Sequence, residues 1–146
     1  VTCDEAGSVA TLSEPVEALL TTARELYERA VREFEEAVMK NDVVGIRDSA
    51  EKAWNAVVQA VNALILHYTG VAPRSHFERR KMLRELERSV KEVGELGLSD
   101  RYMARFKVLH GETFYEGLID IEQLRDEMVK VKRIIEDIER LVQRRH

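Results

Sequence analysis

Arg105, His110, Tyr115 and Glu116 fall within thirteen residues, Arg105-Phe-Lys-Val-Leu-His-Gly-Glu-Thr-Phe-Tyr-Glu-Gly117. Their types suit proton and phosphate chemistry. A neutral imidazole at His110 can take a proton from a ribose 2′-hydroxyl, and an imidazolium can return one to a leaving oxygen. Arg105 carries a permanent positive charge for a phosphate or its transition state. Tyr115 can donate a hydrogen bond and Glu116 can orient the histidine. His110 and Arg105 together are the minimum for cutting RNA without a metal. On an ideal helix, five residues turn the chain through about 140°, so Arg105 and His110 do not share a face. They converge only if Gly111 distorts the helix or a second subunit supplies its own pair across a two-fold axis. The competing reading is a histidine at the edge of the core, hydrogen-bonded to a neighbour. With 16 arginines and four histidines, an arginine five to seven residues before a histidine is expected about once by chance, and Arg140 and His146 also fit that range.

The elements that must hold these residues are helical. Five apolar-periodic segments are visible, with no convincing strand and no repeat. Residues 1–12 are predicted to be a disordered lead-in and 13–146 a single domain. The first helix is predicted to start at Ser13-Glu14-Pro15 and to stop near Asn41. The second runs from about Asp42 to Tyr68 and ends at Gly70. Its second half is apolar on nearly every side, which puts it mid-bundle. Its polar residues Arg47, Glu51, Asn55 and Asn62 form one stripe, beside Lys52 and Gln59. Glu51 and Asn55 can reach His110 if the second and fourth helices pack together. Alternatively the stripe is a solvated face with an Arg47–Glu51 pair. A third helix opens at the capping pattern Ser75-His76-Phe77-Glu78 and runs to about Val93. A fourth, capped by Ser99 or Asp100, carries Arg105 and His110 and is interrupted at Gly111. The last follows Asp120-Ile-Glu-Gln123 to the C-terminus. Short connections between long helices predict an all-α, up-and-down antiparallel bundle of four to five helices.

Composition bounds the function. The 146 residues are 45% hydrophobic and 34% charged with a net charge of −4, so overall charge makes no case for nucleic acid. The charge is unevenly spread: residues 11–60 carry ten acids and six bases, whereas residues 74–108 carry ten bases and six acids. A local basic surface can bind phosphate on an acidic protein, although a mixed solvated face has the same signature. One cysteine, Cys3, excludes an internal disulfide and a cysteine-cluster metal site, and fits a reducing cytoplasm. No signal peptide or membrane span is expected. His67 and His76 lack clustered carboxylates, so no metal and no cofactor is predicted. Trp54 reads as core rather than as a base-stacking platform. Abundant charges with few amides give a thermophile-like composition.

The stretch Asp48-Ser-Ala-Glu-Lys-Ala-Trp-Asn-Ala-Val-Val-Gln-Ala-Val-Asn-Ala-Leu-Ile65 resembles the second helix of the archaeal PaREP family. Val108-Leu-His-Gly-Glu-Thr-Phe-Tyr-Glu-Gly117 is similar to that family's Leu-His…Phe-Tyr-Glu signature. The family in turn resembles a branch of the HEPN superfamily of small helical bundles, over roughly residues 15–140 here. The resemblance implies a HEPN-like bundle, often a homodimer, from a thermophilic archaeon. It also implies that Arg105-x4-His110 is the HEPN nuclease motif, acting on RNA without a metal, with Glu51, Tyr115 and Glu116 in support. Phe106 departs from the polar residue that usually follows the arginine in active HEPN ribonucleases. Relatives without nuclease activity bind nucleotides or proteins. The alternative is therefore a non-catalytic interaction or dimerisation module, the partner in a nucleotidyltransferase-type cassette.

Overall fold

A computed structural model describes residues 2–143, with side chains from 13 to 143. The chain is all-α, and no strand occurs among the described residues. The elements are α1 (Thr2–Met39), α2 (Val43–Thr69), α3 (His76–Ser89), α4 (Lys91–Leu96) and α5 (Leu98–Arg105). A π-helical segment (Phe106–Tyr115) and α6 (Ile121–Gln143) complete it. The lead-in expected over residues 1–12 falls where side chains lie outside the described residues, as does His146. The helix does not start at Ser13: its backbone runs through Pro15, which lies inside α1.

Helices α1 and α2 form an antiparallel hairpin. Asn41, with φ 53, makes the turn, and Asp42 caps α2 by accepting from the Gly45 N–H at 3.0 Å. The two helices approach closely because alanines face each other. Ala23, Ala30 and Ala37 of α1 and Ala50, Ala53, Ala56 and Ala60 of α2 are all buried. Helix α6 lies antiparallel to α1, its start tied by Arg125 to Glu35 and its end by Glu139 to Arg24. Its stripe Leu124, Met128, Val131, Ile134, Ile135, Ile138 and Leu141 is buried against the hairpin. Helix α2 is thus enclosed by α1, α6, α3 and the π segment, and from Ala56 to Ile65 only Val58, Gln59 and Asn62 escape full burial. None of the described helices is long and apolar enough to cross a membrane.

The stretch expected as one third helix is two. Val90 turns extended, with φ −117 and ψ 110, separating α3 from α4. Gly97 then adopts φ 59 and turns the chain into α5. Helix α5 begins at Leu98, one residue before the expected caps, and its N-terminus has no side-chain cap. Gly94 permits the α3–α4 corner, since a Cβ there would lie 2.6 Å from the Glu87 carbonyl oxygen. Gly94→Ala must therefore displace backbone rather than a flexible side chain. It is expected to cost about 1–3 kcal/mol in urea unfolding, while Gly111→Ala, whose Cβ would meet Phe106 O at an ordinary 3.7 Å, costs less.

Candidate functional site

The fourth predicted helix does not break at Gly111. From Phe106 to Tyr115 it widens to π geometry, closing with Glu116 N–H donating to Gly111 O at 3.0 Å. Such widening is uncommon and concentrates at functional sites. Here it aligns rings four residues apart. Phe106 stacks on His110 (centroids 5.4 Å, planes 22° apart), and His110 stacks on Phe114 (5.9 Å, 28°). His76, from the first turn of α3, stacks on Phe106 at 4.4 Å and on Tyr102 at 5.5 Å. Trp54 of α2 meets Tyr102, Phe106, His76 and His110 with tilted or edge-on rings. It is buried, so it supports the column from the core.

The far end of the segment is held by Arg47. Its Nε and Nη2 donate to the Phe114 carbonyl at 3.0 and 2.7 Å, and Nη2 also to the Tyr115 carbonyl at 3.1 Å. These acceptors are at a helix end and lack partners in their own turn. Arg47 therefore serves the π segment rather than the Glu51 pairing that the stripe allows.

Glu51 turns instead to His110. The His110 Nδ1 lies 2.9 Å from each oxygen of the Glu51 carboxylate. An ionised carboxylate only accepts, so Nδ1 carries the hydrogen, and in the neutral ring Nε2 then holds the lone pair. The imidazole side chain is 34% exposed, enough to meet a ligand. A carboxylate fixing Nδ1–H and an accessible Nε2 is a base and acid pre-set in orientation. Asn55, the other residue of the stripe expected near His110, is exposed.

Arg105 is elsewhere. It is the last residue of α5 and faces α6, where its Nε donates to Glu127 Oε1 at 2.9 Å. Arg105 is 7% and Glu127 1% exposed. Lys130 approaches the second Glu127 oxygen at 3.6 Å. The two residues of the Arg-x4-His spacing thus sit on opposite sides of their element, Arg105 toward α6 and His110 toward α2. Tyr115 and Glu116 are both exposed, and Tyr115 takes part through its carbonyl.

Four neighbours were not expected. Tyr102, Phe106 and Phe114 repeat at four-residue intervals with His110, a signal present in the sequence. His76 joins through tertiary packing, which no spacing foretells. A directed hydrogen-bond chain holds it: Arg79 Nε donates to Asn62 Oδ1 at 2.7 Å, Arg79 Nη1 to the Tyr102 hydroxyl at 3.4 Å, and that hydroxyl lies 2.7 Å from His76 Nδ1. Burial pushes the Tyr102 phenol above its ordinary range, so it stays protonated and donates to Nδ1. Burial first, then the Arg80 and Arg79 guanidinium charges and His110, hold His76 below its usual value. His76 is therefore neutral and His110 is the ring paired with a carboxylate. Among the described residues, no group of three or more His, Cys, Asp and Glu side chains is placed to hold a metal.

The model of the archaeal PaREP1/PaREP8 family matches residues 17–135. This chain belongs to that family. The match spans most of α1 through most of α6, so Glu51, Arg105 and His110 all lie inside it. No curated protein matches the chain.

Two outcomes follow for this PaREP-family protein. Glu127→Ala leaves a buried guanidinium unpaired and is expected to cost about 3–5 kcal/mol in urea unfolding, whereas replacing both Arg105 and Glu127 by apolar residues of similar volume is expected to be near neutral. For His76, the folded pKa lies below the 6.5 of the unfolded chain, so unfolding takes up a proton at mildly acid pH. The corresponding stability is in place above pH 6.5 and is lost as pH falls through the folded pKa. Melting temperatures should fall more steeply below pH 6.5 for wild type than for His76→Phe.

Proposed function

We propose that this chain is a HEPN-like bundle that binds RNA or a nucleotide and uses His110 for metal-independent RNA cleavage. The observation that carries the reading is the His110–Glu51 pair, with Nδ1 2.9 Å from both carboxylate oxygens and the ring one-third exposed. In this reading Nε2 takes the proton of a ribose 2′-hydroxyl. The resulting oxygen attacks the adjacent phosphorus, the P–O5′ bond breaks, and the departing 5′-oxygen takes a proton from a second imidazolium or from water. Glu51 holds the tautomer and stabilises the imidazolium. Arg105 can meet a phosphate only by leaving Glu127, so in the resting chain it acts as a tie between α5 and α6.

The protein is proposed to work as a homodimer, which gives a second imidazolium a source. Exposed hydrophobic side chains support this. Val43 and Val44 at the start of α2, and Tyr115 and Leu118 at the end of the π segment, are each more than half exposed. Arg47 brings these two ends together. The same surface, with Arg105 buried, favours the second reading, a non-catalytic module that docks on a protein partner, such as a nucleotidyltransferase, in the cytoplasm.

Cleavage of single-stranded RNA in excess chelator separates the two readings. Wild type is expected to cut, His110→Ala to lose about 10²–10⁴-fold in rate while staying folded, and Glu51→Gln to lose less. A wild type that neither binds nor cuts RNA would sink the nuclease reading and leave the docking module.

A further inference from the structure

The basic segment 74–108 contributes a second feature that the His110 pair does not use. A cavity of about 200 Å³ lies between α3 and α5. That is room enough for a phosphate group. Its polar lining is Arg80, Arg84 and Ser99, and no carboxylate lines it. Arg80 and Arg84 stand at i,i+4, one turn apart on the same face of α3. Among the described residues neither has a carboxylate within ion-pair distance, although five other arginines do: Arg24, Arg101, Arg105, Arg125 and Arg140. The Arg80 Nε and the Ser99 hydroxyl are buried with no hydrogen-bond partner. Both atoms belong to residues that line the cavity, and buried donors without a partner are costly until an acceptor reaches them. The remaining walls are apolar: Leu83 and Met103, with Phe77 at 66% exposure. Tyr102 is shared with the ring column that leads through His76 and Phe106 to His110.

We infer that this cavity is a phosphate subsite, which takes the terminal phosphate of an RNA or nucleotide between Arg80, Arg84 and Ser99. The inference rests on the reading of the chain as an RNA- or nucleotide-binding protein, and adds to it a preference for a phosphomonoester end. Two guanidinium groups without carboxylate partners supply charge and paired donors. The Ser99 hydroxyl supplies a third donor. Phe77 offers an exposed ring on which the attached nucleoside lies.

Calorimetric titration of the full chain with adenosine 5′-monophosphate, adenosine and inorganic phosphate tests it. Wild type is expected to bind the monophosphate more tightly than adenosine. Arg80→Gln with Arg84→Gln is expected to weaken that binding at least about tenfold, from two lost charge-assisted contacts, with Ser99→Ala weakening it less. Thermal melts verify that the variants remain folded, and the single Arg84→Gln, at an exposed position, serves if the double variant does not fold. Inorganic phosphate bound as tightly as the monophosphate, with the same arginine dependence, supports the anion site and assigns free phosphate as its source. Monophosphate binding that ignores both arginines overturns the subsite. RNA cleavage by a protein that binds no monophosphate overturns the subsite and leaves the His110 reading standing. Arginine-dependent binding without cleavage does the reverse.

Discussion

Helix α2 is enclosed along most of its length, so the polar atoms it buries need protein partners. That constraint organises the rest of the molecule. Its alanine face admits α1 closely. Its few polar residues then determine what packs on the other side: Arg47 meets the carbonyls at the end of the π segment, Glu51 meets His110, and Asn62 meets Arg79. One stripe, read along the helix, thereby docks the π segment at one end and α3 at the other. Trp54 fills the space between these polar ties and sets the height of the ring column.

The same demand for partners separates Arg105 from His110. Both belong to one continuous helical run, but they leave it in different directions. The one that faces the α5–α6 contact is buried and must be neutralised there, which Glu127 does. The one that faces α2 is met by Glu51 at the molecule's edge, where a third of the imidazole remains open to solvent. Burial thus turns the arginine of a nuclease-like spacing into a structural tie, and partial exposure keeps the histidine chemically available.

The two histidines of the ring column differ for a physical reason. His76 sits among guanidinium groups and accepts from a phenol, so its neutral form is favoured. His110 has a carboxylate at its Nδ1. Phe106 lies against both rings. It follows directly after Arg105, and that position builds the column.

Much of the architecture was legible in the sequence, because apolar period, caps and glycine stops are local properties. The class, the bounds of α2 with Asp42 and Gly70, and the central place of its apolar half follow from residues read in order. Glu51 also lay on a stripe from which it reaches His110 once the second and fourth predicted helices pack together, with a solvated face as the alternative. Other features were not local. The break at Val90 comes with the close approach of Gly94 to Glu87, and the π segment packs its rings against rings from α2 and α3. The direction of Arg105 depends on Glu127, 22 residues later on another helix. Spacing along a chain states which side chains are near in sequence; which of them share a site is decided by the partners that burial forces each to find.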